Sequence, residues 1–296
     1  MTGPRLSGKV AVVTGATQGL GADIARELAL AGIERVFVVG LGREAGEAVV
    51  AAIGPQAELL EADITDDAAI DRCIERAVAV TGRLDLLING ACSYADAGLD
   101  TPRAQWLQTL NVNLVSAAVF TQKAVPHMPR GAVVIHLGSV GGKFGMQGRA
   151  VYPASKAGLL QITKNFAVEL APRGIRVLSV SPAWTWSPAV ERAVGGDLAV
   201  ADAAGALTHP LGRIGRGAEV GRVVVFAASD DAAWMTGTDL AVDGGFACLG
   251  PDQGLSAGPW FERALHAAAF NPATTPPTNP ATTPPATPAT DPDPPA

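Results

Sequence analysis

A chain of 296 residues, 48% hydrophobic and only 17% charged, has room for one large domain or two small ones and can bury a sizeable core. Its formal net charge of −6 argues against nucleic acid as the main partner, because phosphate binding needs a basic surface. Three cysteines (Cys73, Cys92, Cys248) without a CxxC pair argue against a disulfide framework and for a reducing, cytoplasmic compartment.

Residues 1–9 carry no apolar run suited to a signal peptide, and no stretch nears the ~20 apolar residues of a membrane span. The four histidines are scattered, without the spacing of metal ligands. From there, short β-branched runs alternate with longer amphipathic stretches. Strands are expected over 9–14, 35–39, 57–62, 84–88, 132–137, 175–181 and 239–242. Helical spacing fills 22–31, 44–53, 67–80, 103–125, 152–170 and 218–229. Such alternation implies a parallel sheet covered by helices on both faces, a doubly wound α/β fold. In folds of this class ligands lie beyond the carboxyl ends of the strands, so polar residues there carry most weight.

The expected domain spans 1–262, followed by a disordered Pro/Thr-rich tail over 263–296. Composition changes abruptly after Phe270: ten of the 22 prolines follow it, and Asn-Pro-Ala-Thr-Thr-Pro-Pro occurs at Asn271 and again at Asn279. That segment has no Leu, Ile, Val or aromatic residue to offset the entropy of ordering. A docking peptide is the less favoured reading of it.

Two motifs carry chemistry. Thr14-Gly15-Ala16-Thr17-Gln18-Gly19-Leu20-Gly21 follows the first strand and opens a helix. Its glycines let backbone turn tightly against a pyrophosphate, which then rests on the helix N-terminus. Gly15, Thr17, Gln18, Gly19, Leu20 and Gly21 are therefore candidate cofactor contacts. Tyr152-Pro153-Ala154-Ser155-Lys156 places a phenol and an ammonium four residues apart, on one helix face. A fixed positive charge favours the phenolate, which makes Tyr152 a usable acid/base. The strand before it adds Ser139 at its carboxyl end.

Gly15/Gly19/Gly21, Asn113, Ser139, Tyr152 and Lys156 follow the order TGxxxGxG, Asn, Ser, YxxxK. On these residues the chain resembles the short-chain dehydrogenase/reductase family over about residues 6–250. Asp63, Asn89, Ser181-Pro182 and Val242-Asp243-Gly244-Gly245 add to the match. The resemblance implies a single Rossmann-type domain with a seven-stranded parallel sheet. It implies that Tyr152 exchanges a proton with a substrate oxygen, that Lys156 assists it and holds the nicotinamide ribose, and that Ser139 positions the same oxygen. Asn113 would hold a relay water, Asp63 would meet the adenine, Asn89 would brace the sheet and Thr185 would approach the carboxamide. Leu41, Arg43, Ile64, Ala91 and Pro182 complete the expected cofactor contacts.

Three departures stand out. Cys92 replaces a usual glycine after the fourth strand, where a small buried filler is the favoured role over a reactive thiol. Ala183 replaces the usual glycine after Pro182, which makes any positive φ there costly. Gly40-Leu41 stands where an acid would mark NAD or a basic residue NADP. The cofactor is expected to be NADP or NAD, leaning to NADP because Arg43 can swing toward a 2′-phosphate. Tyr94, Phe144, Met146, Trp184 and Trp186 suggest an apolar or cyclic substrate; Lys143 is able to meet a carboxylate, although a solvent-facing lysine is the favoured reading. The expected activity is secondary alcohol/ketone interconversion, favouring ketone reduction, in a homotetramer or homodimer. A lyase or epimerase with tightly held cofactor, or a silent cofactor-binding regulator, are the rival readings.

Overall fold

Runs rich in Val, Ile and Leu make the central strands, and their burial on both faces fixes the architecture. The computed structural model describes residues 5–250 and 252–270. Strands β1 (Val10–Thr14), β2 (Arg35–Gly40), β3 (Ala57–Glu61), β4 (Leu86–Asn89), β5 (Val133–Leu137), β6 (Arg176–Pro182) and β7 (Asp239–Val242) form one sheet. All neighbours are parallel, in the order β3-β2-β1-β4-β5-β6-β7. The chain winds outward through β2 and β3, then returns to β4 on the other side of β1. The β1/β4 gap is thus the switch point where this class of sheet binds ligands.

Alternate residues of each strand serve opposite layers. Ala11 and Val13 pack with Ile24 and Leu28 of α1 (Gly19–Leu30), Val49 of α2 (Arg43–Ile53) and Val224 of α9, which spans Gly217–Ala228. Val10 and Val12 pack with Ile70 of α3 (Asp67–Thr81), Phe120 of α5 (Ser116–Ala124) and Ala167 of α6, which spans Val151–Leu170. Each such aliphatic group contributes roughly 1.5–3 kcal/mol when fully buried, so the sheet is the rigid platform for the loops above it.

The expected strands and helices lie within three residues of those observed, with one internal difference. The stretch 103–125 is not a continuous helix. It runs as α4 (Arg103–Leu110), a π-turn (Asn111–Val115), then α5. Two short helices also appear where none was expected, α7 (Pro188–Ala193) and α8 (Leu198–Ala206). Among the described residues, no helix is long and apolar enough to cross a membrane.

A second unit begins at Leu249 rather than after 262. It contains α10 (Ala257–Phe270), so the disordered reading of 263–270 is corrected. The Ala-rich run from Ala264 has high helix propensity, and Phe261 and Leu265 on this helix are exposed. The Trp260 indole donates to Asp252 O at 3.1 Å, and the Arg263 guanidinium lies 5.2 Å from its ring centroid. The proline-rich segment 271–296 lies outside the described residues.

Candidate active site

The Thr14–Gly21 turn sits at the switch point. Gly15 has φ 70°, and a Cβ there would lie 2.6 Å from Ala91 Cα, so glycine alone lets the turn lie against the end of β4. The Thr14 hydroxyl holds that end by accepting from the N–H groups of Gly90 (3.0 Å) and Ala91 (3.2 Å). Helix α1 then starts at Gly19 with no side-chain cap and no acid in its first turn. An N-terminus left open in this way suits an anion. Thr17, Gln18 and Gly19 line a cleft of about 390 Å³ beside it, closed on the far side by Trp186 and Pro188. This cradle fits the pyrophosphate of a nicotinamide dinucleotide.

Ser139 and Tyr152 meet over Gly141. A Cβ on Gly141 would lie 3.3 Å from Ser139 Oγ and 3.4 Å from Tyr152 Cε1, so both side chains flank one small space. Ser139 Oγ accepts from the Gly141 N–H at 3.0 Å, which does not use its own hydrogen. Lys156 is buried, donates from Nζ to Leu137 O at 2.8 Å, and lies 5.8 Å from the Tyr152 ring centroid. An ammonium has three donors, so two remain for other partners. Burial first, then the Lys156 charge, pushes the His136 imidazole down to about 4. His136 is therefore neutral near pH 7 and adds no cation beside Lys156.

Asn113 sits in the π-turn with both amide N–H donors engaged by its neighbours. Its Nδ2 donates to Ser93 O (2.9 Å) and Ser155 Oγ (3.0 Å), and its Oδ1 accepts from Ser93 N at 2.6 Å. Ser155 Oγ in turn donates to Tyr152 O at 2.7 Å. The side chain thus locks the loop after β4 to the first turn of α6. Both amide N–H donors are used, so any water at Asn113 would have to donate to one of its oxygens.

Asp96 emerges from the structure alone. Its carboxylate accepts from the N–H groups of Ala150 (2.9 Å), Tyr152 (2.8 Å) and Gly98 (3.0 Å), capping α6 from a distant loop. Burial pushes the carboxyl up, but the Tyr152, Gly98 and Ala150 N–H groups and the Thr101 hydroxyl outweigh it and hold it below its usual range. A depressed carboxylate contributes stability that is present above the unfolded value of about 3.9 and lost as pH falls through the folded one. Asp96→Ala is expected to cost about 0.5–2 kcal/mol, the range of a lost helix cap. The gap in melting temperature to wild type should be full at pH 6 and narrow below about pH 4. A gap that ignores pH would show that the charge does not support α6.

On the cofactor side the placements vary. Asn89 braces β4 through Nδ2 to Thr121 Oγ1 at 3.1 Å. Asp63 Oδ1 is engaged locally by Thr65 N (2.9 Å) and Oγ1 (2.8 Å), and the cap of α3 is Asp66 instead. Ile64 is buried in the α3-side core, whereas Leu41 is exposed. Arg43 is not free: it pairs with Glu61 at 2.6 Å. Thr185 Oγ1 donates to Ala183 O at 3.0 Å in the loop after Pro182. Gln253 is the one non-glycine described residue with positive φ, so neither Ala183 nor Cys92 is strained. Cys92 is half-buried rather than a buried filler, because the chain leaves the sheet there.

The chain is similar to known proteins over most of its length. A family model described as enoyl-(acyl carrier protein) reductase matches residues 15–247. A 3-oxoacyl-(acyl-carrier-protein) reductase of Thermotoga maritima is 35% identical over 252 residues, 81% of this chain and 98% of the relative. The chain belongs to the short-chain dehydrogenase/reductase family. A cis-4-hydroxycyclohexanecarboxylate dehydrogenase of Sinomonas cyclohexanicum is 33% identical over 260 residues, 83% of this chain and all of that one. A short-chain dehydrogenase/reductase structure from Brucella melitensis superposes with a TM-score of 0.77 at 25% identity, covering 83% of this chain and 99% of that one. The protein is thus an oxidoreductase of a family whose members use nicotinamide cofactors.

Within this family frame the substrate side is apolar and only partly covered. Tyr94 stacks on Tyr152 with centroids 5.2 Å apart, and Phe144, Met146 and Trp184 remain about half exposed. The two tryptophans do not share a wall. Trp184 packs against His209 (5.6 Å) and Phe246 (6.3 Å), while Trp186 lines the cleft of the glycine turn. Hydrogen bonds of Trp186 N to Gly215 O and Gly215 N to Trp184 O fix the segment, and Pro188 then turns it into α7. Lys143 is exposed, and its Nζ pairs with Asp239 Oδ2 at 2.5 Å, so it is not free to meet a carboxylate on another molecule without leaving that partner. Asp96, Ser93, Phe246 and Glu61 were not legible as site residues, because each acts through a partner distant in sequence.

Proposed function

We propose that this chain interconverts a secondary alcohol and a ketone on an apolar or cyclic substrate, with Tyr152, Ser139 and Lys156 as its catalytic residues. The observation that carries this reading is the joint placement of Ser139 Oγ and Tyr152 around the space over Gly141, with Lys156 buried behind them. Tyr152 Oη gives its proton to the substrate oxygen in reduction and takes it back in oxidation. Ser139 donates a hydrogen bond to the same oxygen and fixes its orientation. Lys156 supplies a fixed positive charge beside the phenol and has two N–H donors for the ribose. Asn113 acts as a positioning residue. It also holds the relay water that links Lys156 to solvent, through an oxygen acceptor, since its amide N–H groups are used. When bound, the nicotinamide supplies or accepts the hydride.

Preference for NADP rested on a free Arg43, and Glu61 removes that ground. Exposed Leu107 on α4 and Val168 on α6 support self-association through those helices, to a dimer or tetramer, which sedimentation would test. A panel of cyclic and linear ketones, read by nicotinamide absorbance with both cofactors, tests the function. No turnover with any of them would defeat it.

The apolar rim makes a further expectation. Trp184→Ala should raise KM for bulky cyclic ketones more than for short linear ones, since burial contributes roughly 25 cal/mol per Å². A flat KM profile with a fallen melting temperature would place Trp184 in the packing with His209 and Phe246 alone.

A further inference from the structure

Gly40 ends β2 without a side chain, and the space a Cβ would claim is pressed by Thr17 Cγ2 and Oγ1, each 3.1 Å away. An acid at this strand end is the common partner of a ribose 2′-hydroxyl in dinucleotide-binding sheets. Here it would push on the turn that cradles the pyrophosphate. A carboxylate stands one strand further out instead. Glu61 ends β3 as the register partner of Gly40, and partners on strands about 4.8 Å apart project to the same face.

Arg43, the first residue of α2, closes on Glu61 at 2.6 Å, and Glu47 one turn later lies 3.8 Å from the same guanidinium. The Arg43 side chain is 65% exposed and that of Glu61 34%, so the pair is held loosely enough to open.

We infer that the Arg43–Glu61 pair sets the cofactor preference toward NAD(H), an inference that rests on the dinucleotide-binding reading above. Closed, the pair cancels the cation a 2′-phosphate needs, and Glu44 and Glu47 on the same turn add negative charge. A 2′-hydroxyl meets no such repulsion and can donate to the Glu61 carboxylate. NADP(H) enters only by drawing Arg43 off Glu61, and the selectivity of the site is the cost of that exchange.

Equilibrium binding of NADH and NADPH to the full chain, followed by titration calorimetry, tests the inference on wild type, Glu61→Gln and Arg43→Gln. Wild type is expected to bind NADH more tightly. Glu61→Gln frees the guanidinium and should tighten NADPH about tenfold at low salt, the gain shrinking as ions screen it. NADH should stay within about threefold, since an amide oxygen still accepts a hydroxyl proton. Arg43→Gln should weaken NADPH and leave NADH unchanged. Wild type that already prefers NADPH, or Glu61→Gln without effect on NADPH, overturns the inference while leaving the oxidoreductase reading intact. Failure of wild type to bind either dinucleotide would instead overturn that reading, and the inference with it.

Discussion

Replacing Tyr152 by Phe is expected to lower kcat at least ~100-fold, the loss associated with removing a general acid/base. The ring itself stays. Its stacking on Tyr94, with planes 23° apart, needs no hydroxyl, and neither does the backbone bond from Tyr152 N to Asp96. Lys156 keeps its bond to Leu137 O, so its remaining donors stay in place for the ribose. Dinucleotide binding and melting temperature should therefore move little while turnover collapses. Lys156→Ala makes the useful contrast: it leaves a buried carbonyl unpartnered and should weaken cofactor binding together with kcat. Turnover near wild type in Tyr152→Phe would remove the phenol from the chemistry. It would also reopen the lyase and regulator readings, for which net nicotinamide oxidation is not required.

The fold was legible because its signals are local. β2 and β5 are runs of Val, Phe and Ile that only a strand buried on both faces explains, and α3 and α9 carry clear apolar stripes. What escaped depends on contacts far apart in sequence. The apolar pattern passes through Asn111–Val115 without a break, and the π-turn coincides with bonds of Asn113 to residues 20 and 42 positions away. Asp96 looks like any loop acid until it caps a helix 54 residues later. Arg43 looks free in sequence because Glu61 reaches it only through strand register. Trp184 and Trp186 stand two residues apart, a spacing that would share one face within a strand, but this segment is tied to Gly215 and turns at Pro188. Helix α8 is rich in alanine and shows no narrow apolar stripe to mark it.

Gly142→Ala is expected to lower kcat by about 100-fold while leaving the fold in place. A Cβ at Gly142 would lie 2.8 Å from both Ala157 N and Lys156 C, and 3.1 Å from Lys156 Cβ. The two nearest are backbone atoms of α6 and the third is a Cβ fixed to that backbone, so no flexible side-chain end can yield. The conformation is not the obstacle, since Gly142 is absent from the positive-φ glycines and alanine would suit it. The obstacle is space, and overpacking of this kind costs typically ~1–3 kcal/mol. Relief must come from moving the Val140–Gly142 turn, which follows Ser139, away from the helix that carries Tyr152 and Lys156. A displacement near 1 Å between reacting groups is enough for a roughly 100-fold loss. Gly145→Ala is the control, because a Cβ there meets nothing within 4 Å and the residue has no positive φ. It should keep wild-type turnover. The cofactor cradle at Gly15 and Gly19 stands on other elements, so NADH affinity in Gly142→Ala should fall far less than kcat. Equal, small effects of the two substitutions would mean that the Ser139 turn yields without disturbing Tyr152. The space over Gly141 would then not be where the substrate oxygen is held.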